Sequence, residues 1–222
     1  MKDLCIDTSG GAVVAVVTEG ATTVNTEPNS RAHAERLAEL ISLSISEAGL
    51  GKTVKEAGLD QVIVGTGPAP FTGLRAGLVT ARVIGRVAGI PVRGIGSLEV
   101  LARSYLDDMP PGAEVVVTTD ARRHEVYWAH IRAAGPNDVE VIEGPAVNTA
   151  DCVANKFRAG DVEFVGPACQ LYPDAFPSTR GTAGFDVAVA SRIVRARLDN
   201  GVEDFLVDPQ YLRRPDIHGE KK

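Results

Sequence analysis

The feature that most constrains this chain is a stretch in which three grammars follow one another without a break, residues 61–91, QVIVGTGPAPFTGLRAGLVTARVIGRVAGIP. Residues 62–64 read as a buried strand. Residues 65–70 can be neither helix nor ladder, because Pro68 and Pro70 have no amide to donate and glycine admits positive φ. A helix follows, with Thr72 as its expected N-cap and Gly89 and Pro91 as its stop. Along that helix small residues recur at every fourth position, Gly73, Gly77, Ala81 and Gly85, and so share one face. Each helical glycine costs roughly 1 kcal/mol relative to alanine. Three on one face therefore imply close approach of another backbone, either the chain's own sheet or a partner's helix. Leu74 and Leu78 add an adjacent apolar stripe.

Around this element the chain spells a mixed α/β fold. Residues 4–8, 12–18 and 22–27 read as three strands joined by glycine-bearing turns short enough for hairpins. Ser30 is placed to cap a helix over residues 31–48, whose Leu37, Leu40, Ile41, Ser44 and Ile45 follow the 3.6-residue period. A strand over residues 91–95 and a helix from 98 to about 106, capped by Ser97, complete a β-β-β-α-β-α-β-α order. Three antiparallel strands followed by parallel crossovers make a sheet with helices on its faces. Residues 107–112, DDMPPG, are the expected boundary. The second half opens again with three strands, over 113–119, 125–132 and 139–143, then a short strand at 163–165 between helices at 149–158 and 186–198. This is a reduced internal duplication: residues 1–106 form one expected unit and 107–222 the other, with a tail from about 205 packing back on the first.

Composition removes several classes of function. A net charge of −6 argues against a chain that grips nucleic acid unaided. No apolar run approaches the ~20 residues a membrane-spanning helix needs, and the three scattered cysteines suit a reducing, cytoplasmic setting. The four histidines show no metal-ligand spacing, and there is neither a G-x-S-x-G elbow nor a Walker loop. Two constellations remain. Asp7 and Ser9, at a strand end before a glycine turn, suit either a cation and phosphate or a plain hairpin turn. Residues 65–70, with Gly67 among them, suit either an anion at a helix mouth or a tight corner. Arg75, one turn inside, asks for an anion or a carboxylate. The turn at residues 120–125, DARRHE, is either a gripping surface or a solvated tip.

The stretches IDTS (6–9), GTGPAPFTGLR (65–75), 94–101, 120–127 and YLRRP (211–215) resemble the TsaB (YeaZ) family nearly end to end. Where that family usually has glycine and serine, this chain has Ala69 and Pro70. The resemblance implies the actin-like ATPase (ribonuclease H-like) fold, with two βββαβα-type halves and the second reduced. It implies a non-catalytic role in forming N6-threonylcarbamoyladenosine in tRNA, with an independent ATPase or kinase as the alternative. It also implies a partner, TsaD, whose two metal-binding histidines are matched here by Ser97 and Leu101. By the same resemblance TsaE joins the complex, ATP is used by the wider assembly rather than by this chain, and tRNA is reached only through the complex. A homodimer forms when TsaD is absent. The implied interface is the helix pair, through His33, Leu37, Leu40, Ile41, Gly73, Leu74, Gly77, Leu78, Ala81 and Gly85. Asp7, Ser9 and Gly67 remain as vestiges of a nucleotide site.

Overall fold

The computed structural model describes residues 1–28, 33–158, 160, 162–177 and 186–213. The first sheet forms from β1 (Asp3–Asp7), β2 (Ala12–Thr18), β3 (Ala21–Glu27), β4 (Gln61–Gly65) and β5 (Val92–Ile95), in the order β3-β2-β1-β4-β5. The β1–β2 and β2–β3 pairs are antiparallel hairpins, while β4 joins β1 and β5 in parallel. Between them run α1 (His33–Glu47), the single turn α2 (Val54–Ala57) and α3 (Phe71–Ala88).

Strand pleat decides what covers each face. Leu4, Ile6, Val14 and Val16 point to one side and pack against Leu37, Leu40 and Ile41 of α1 and Leu74 and Leu78 of α3. Cys5, Ala15 and Ile63 point to the other side, where α7 (Val187–Asp199) covers them with Val187, Ala190 and Ile193. A helix from the end of the chain thus closes the first sheet. Its seat includes a buried ion pair, in which Arg195 and the Ser191 hydroxyl both donate to the Asp3 carboxylate, at 2.8 and 2.6 Å.

α4 (Ser97–Leu106) leads into the second sheet, made of β6 (Glu114–Arg122), β7 (Glu125–Ala134), β8 (Asp138–Thr149) and β9 (Glu163–Val165) in the order β8-β7-β6-β9. Leu98, Leu101 and Tyr105 of α4 cover one face of it. The other face packs on α5 (Ala150–Phe157) and α6 (Ala168–Leu171), around Trp128, Phe164 and Phe176. Both halves therefore open with three antiparallel strands and add a parallel one, and among the described residues the second stops there.

Three local readings are corrected. Thr72 does not cap α3: the helix begins at Phe71, with Pro70 as N-cap and no side-chain cap, because the proline's extended backbone sets the turn. Ser97 is the first residue of α4 rather than its cap, since the Glu99 carboxylate accepts the Gly96 amide at 3.1 Å and fixes the start there. The hairpin turn in the second sheet is Arg123–His124, because Arg122 still pairs with Glu125. The proposed Ser30 cap lies outside the described residues.

The tail runs back across the first half. The Phe205 carbonyl accepts the Gly94 amide on the free edge of β5, and the Gln210 amide donates to the Thr66 carbonyl. Tyr211 lies over Phe71, with ring centroids 4.8 Å apart, and its hydroxyl accepts from Arg75 at 3.1 Å. Arg213 then reaches the second sheet, donating to the Ala121 carbonyl at 2.7 Å and pairing with Glu125.

Candidate functional site

Two places carry the candidate residues: helix α3 with its neighbour α1, and the cleft between the two sheets. On α3, the residues expected at a partner interface face inward. Leu74, Leu78 and Ala81 are at most 4% exposed, and Gly73, Gly77 and Gly85 are buried with them. A Cβ on Gly77 would stand 2.4 Å from the Thr8 hydroxyl, and one on Gly85 would stand 2.2 Å from a Val92 methyl. The small-residue stripe is thus explained by the chain's own sheet, the first of the two readings the sequence left open. Leu37, Leu40 and Ile41 of α1 are buried in the same way, at 4% exposure or less. In the chain taken alone these nine residues are buried within its own fold and present no side chain to solvent. His33 begins α1, and its side chain lies outside the described residues.

The opposite face of α3 is the open one. Val79, Val83 and Val87 are 58%, 56% and 56% exposed, at i, i+4 and i+8, and Leu43 of the adjacent α1 is also exposed. A stripe of β-branched apolar residues on the solvent side of a helix is what a solvated face lacks. The valine spacing is visible in the sequence. Its significance is hidden there by the small-residue stripe about half a turn away.

The cleft has a volume of 480 Å³, and its walls include Asp7, Ser9, Pro68, Pro70, Ser97 and Tyr127. Asp7 is 2% exposed. One of its oxygens accepts the Ser9 amide at 2.7 Å and the Ser9 hydroxyl at 2.5 Å, and the other accepts the Ser97 hydroxyl at 2.6 Å. Burial pushes the Asp7 carboxyl up, and the two serines pull it partly back. Gly65 is where Asp7 comes closest to the sheet, since a Cβ there would overlap its carboxylate oxygen. The loop amides are engaged too. Gly67, at φ 93°, donates to the Ser97 hydroxyl at 3.2 Å, and its carbonyl accepts the Ser97 amide at 2.7 Å. Arg75, which asked for an anion, lies over the Phe71 ring at 3.8 Å and donates to Tyr211. Leu101 is buried against the second sheet. Among the described residues no three His, Cys, Asp or Glu side chains come together in a way that would hold a metal ion. No helix among them is long and apolar enough to cross a membrane.

A two-sheet topology with this strand order, and an aspartate at the end of β1 facing an inter-sheet cleft, defines the actin-like ATPase class of fold. The solved structure of YeaZ from Pseudomonas aeruginosa superposes with a TM-score of 0.77 over 95% of this chain and 99% of that one, at 24% identity. Residues 21–203 match the family described as "TsaD: tRNA N6-adenosine threonylcarbamoyltransferase". The chain belongs to that family, as a relative of its TsaB (YeaZ) members. It is 37% identical to the protein Rv3421c of Mycobacterium tuberculosis (strain H37Rv), over 96% of this chain and 92% of that one. It is 28% identical to the tRNA threonylcarbamoyladenosine biosynthesis protein TsaB of Escherichia coli (strain K12), over 78% and 74%. It spans 55% of the length of its Mycobacterium leprae relative.

Proposed function

We propose that this chain is a non-catalytic subunit for forming N6-threonylcarbamoyladenosine at position 37 of tRNAs that read codons beginning with adenine, and that it acts by binding and activating TsaD. The observation that carries the reading is the exposed valine stripe Val79, Val83 and Val87, beside Leu43. A helix pair with a dry outer stripe is suited to packing against another helix pair at the 8–10 Å separations of helix–helix contacts. The same surface would pair two copies of this chain when TsaD is absent. TsaE, ATP and tRNA enter through the assembled complex.

The cleft supports the non-catalytic part of the reading. A carboxylate that holds a metal–nucleotide needs free lone pairs, and those of Asp7 are directed at Ser9 and Ser97. An independent ATPase or kinase would have to use the lone-pair site that these bonds leave on Asp7, or displace a serine.

The test is co-purification of the full chain with TsaD, followed by measurement of the modified nucleoside in a reconstituted reaction. Val79→Glu with Val83→Glu should abolish both while the variant stays folded. Retained capture by the folded variant would sink the interface. Calorimetry with ATP and magnesium on the isolated chain separates the alternative, since clear binding there would restore a catalytic reading.

A further inference from the structure

The wall of the cleft that faces Asp7 is built on a different principle. It comes from the β6–β7 hairpin, whose Arg122, Arg123 and His124 all have left-handed backbones, at φ 63°, 56° and 61°. A side chain in that region costs roughly 1–2 kcal/mol per residue, and a two-residue turn of this kind is most easily made with Asn-Gly. The hairpin is nonetheless held firmly. Asp120 accepts the Arg122 amide at 2.8 Å, and Arg213 binds the Ala121 carbonyl and Glu125 from behind.

This hairpin presents to the cavity two polar side chains with no partner among the described residues, one buried (Tyr127) and one exposed (Arg122). Tyr127 is 3% exposed and lines the cavity, and its hydroxyl has no hydrogen-bond partner among the described residues. That hydroxyl opens on the cavity rather than being sealed in the core. Burial raises its pKa, against the neighbouring charges of Arg213 and Arg122, so it remains a donor at neutral pH. Arg122 lines the same cavity, and its guanidinium makes no hydrogen bond or ion pair among the described residues. By contrast Arg75, Arg103, Arg197 and Arg213 are all engaged within the chain. Pro68, Pro70, Leu98 and Leu101 add apolar surface to the lining. A concave, mostly apolar site with a few convergent polar groups is the usual form of a small-molecule site, and 480 Å³ falls in its size range.

We propose that the inter-sheet cleft binds a small organic anion, a carboxylate or a phosphate monoester with an apolar body, through the Arg122 guanidinium and the Tyr127 hydroxyl. The prolines and leucines cover the body. Asp120 and Glu27 also line the cavity, so its charge suits a monoanion far better than a polyphosphate. The site uses the hairpin wall and leaves the Asp7–Ser97 contact intact, which separates it from a nucleotide site. It is independent of the α3 surface, so either proposal can fail alone.

Calorimetric titration of the full chain with benzoate, phenyl phosphate and inorganic phosphate tests it. Benzoate or phenyl phosphate should bind, the preferred one showing whether the site is built for carboxylate or phosphate, and inorganic phosphate should bind more weakly than either. Arg122→Ala should lower affinity about tenfold or more, as expected for a lost charge-assisted bond. Tyr127→Phe keeps the ring and should lower affinity several-fold, with an unchanged circular dichroism spectrum. Equal affinity in the Arg122→Ala protein, or no binding of either organic anion at about 10 mM, overturns the proposal.

Discussion

The two faces of α3 carry opposite chemistries on one helix. The inward face is glycine, alanine and leucine, fitted so closely to the sheet that Gly77 leaves no room for a methyl beside Thr8. The outward face carries valines that are more than half exposed. Small residues mark the place where the protein has already closed on itself, and bulky β-branched ones mark the place still open. The difference teaches that close-packing residues report a contact without saying whose it is, whereas exposure of an apolar stripe can be seen only once the fold is known.

Substitutions on each face should separate these roles. The largest effect is expected inward: Gly77→Leu should destabilise the chain by about 3 kcal/mol, because the added side chain overlaps Thr8 in a closely packed interior. Urea unfolding or failure to recover soluble protein reads this. A well-folded Gly77→Leu protein that merely loses TsaD would reverse the assignment of the two faces. Next comes the outward pair, Val79→Glu with Val83→Glu. Stability should change by no more than about 0.5 kcal/mol per site, while capture of TsaD, or of a second copy in sedimentation, should disappear.

The flank of α3, where the tail lies, should fall between the faces in stability. Tyr211→Ala removes an aromatic contact with Phe71 and the hydrogen bond from Arg75. It should cost about 1 kcal/mol, measurable as a fall in Tm of a few degrees. The smallest effect at acid pH is that of Asp7→Asn. The folded-state pKa of Asp7 is raised, so its contribution to stability is fully present below the ordinary carboxylate pKa and declines as pH rises through the raised value. Asp7→Asn removes that decline. The variant should match the parent in acid and gain on it towards neutrality, a trend that a pH series of unfolding curves would show. The reverse trend would mean that the carboxylate is charged and needed where it lies.

Much of the fold was legible because local chemistry dictated it. The β1–β2–β3 meander is spelled by glycine turns between β-branched runs, and the end of α3 by Gly89, which has the expected left-handed backbone at φ 69°. The repeat of three antiparallel strands in the second half was equally plain. What escaped was set by partners far along the chain. The Ser97 hydroxyl, expected at a helix cap, is held by an aspartate 90 positions away. Arg75 is answered by Tyr211, 136 residues later. Nothing around residue 190 announces that α7 belongs to the first sheet, since an amphipathic helix fits either sheet equally well. In the candidate site, Asp7 and Ser9 were found by their position at a strand end. The isolation of the Tyr127 hydroxyl needed coordinates, because a β-strand tyrosine gives no sign of what lies above its ring.

The seat of α7 has a consequence for how the chain is born. The underside of the first sheet, with Cys5, Ala15 and Ile63 on it, is roofed by a helix made well after the second sheet's strands. Until α7 has been synthesised that greasy plane stays open to water, exposed to aggregation or to chaperones, and a frameshift between β4 and residue 187 leaves it so.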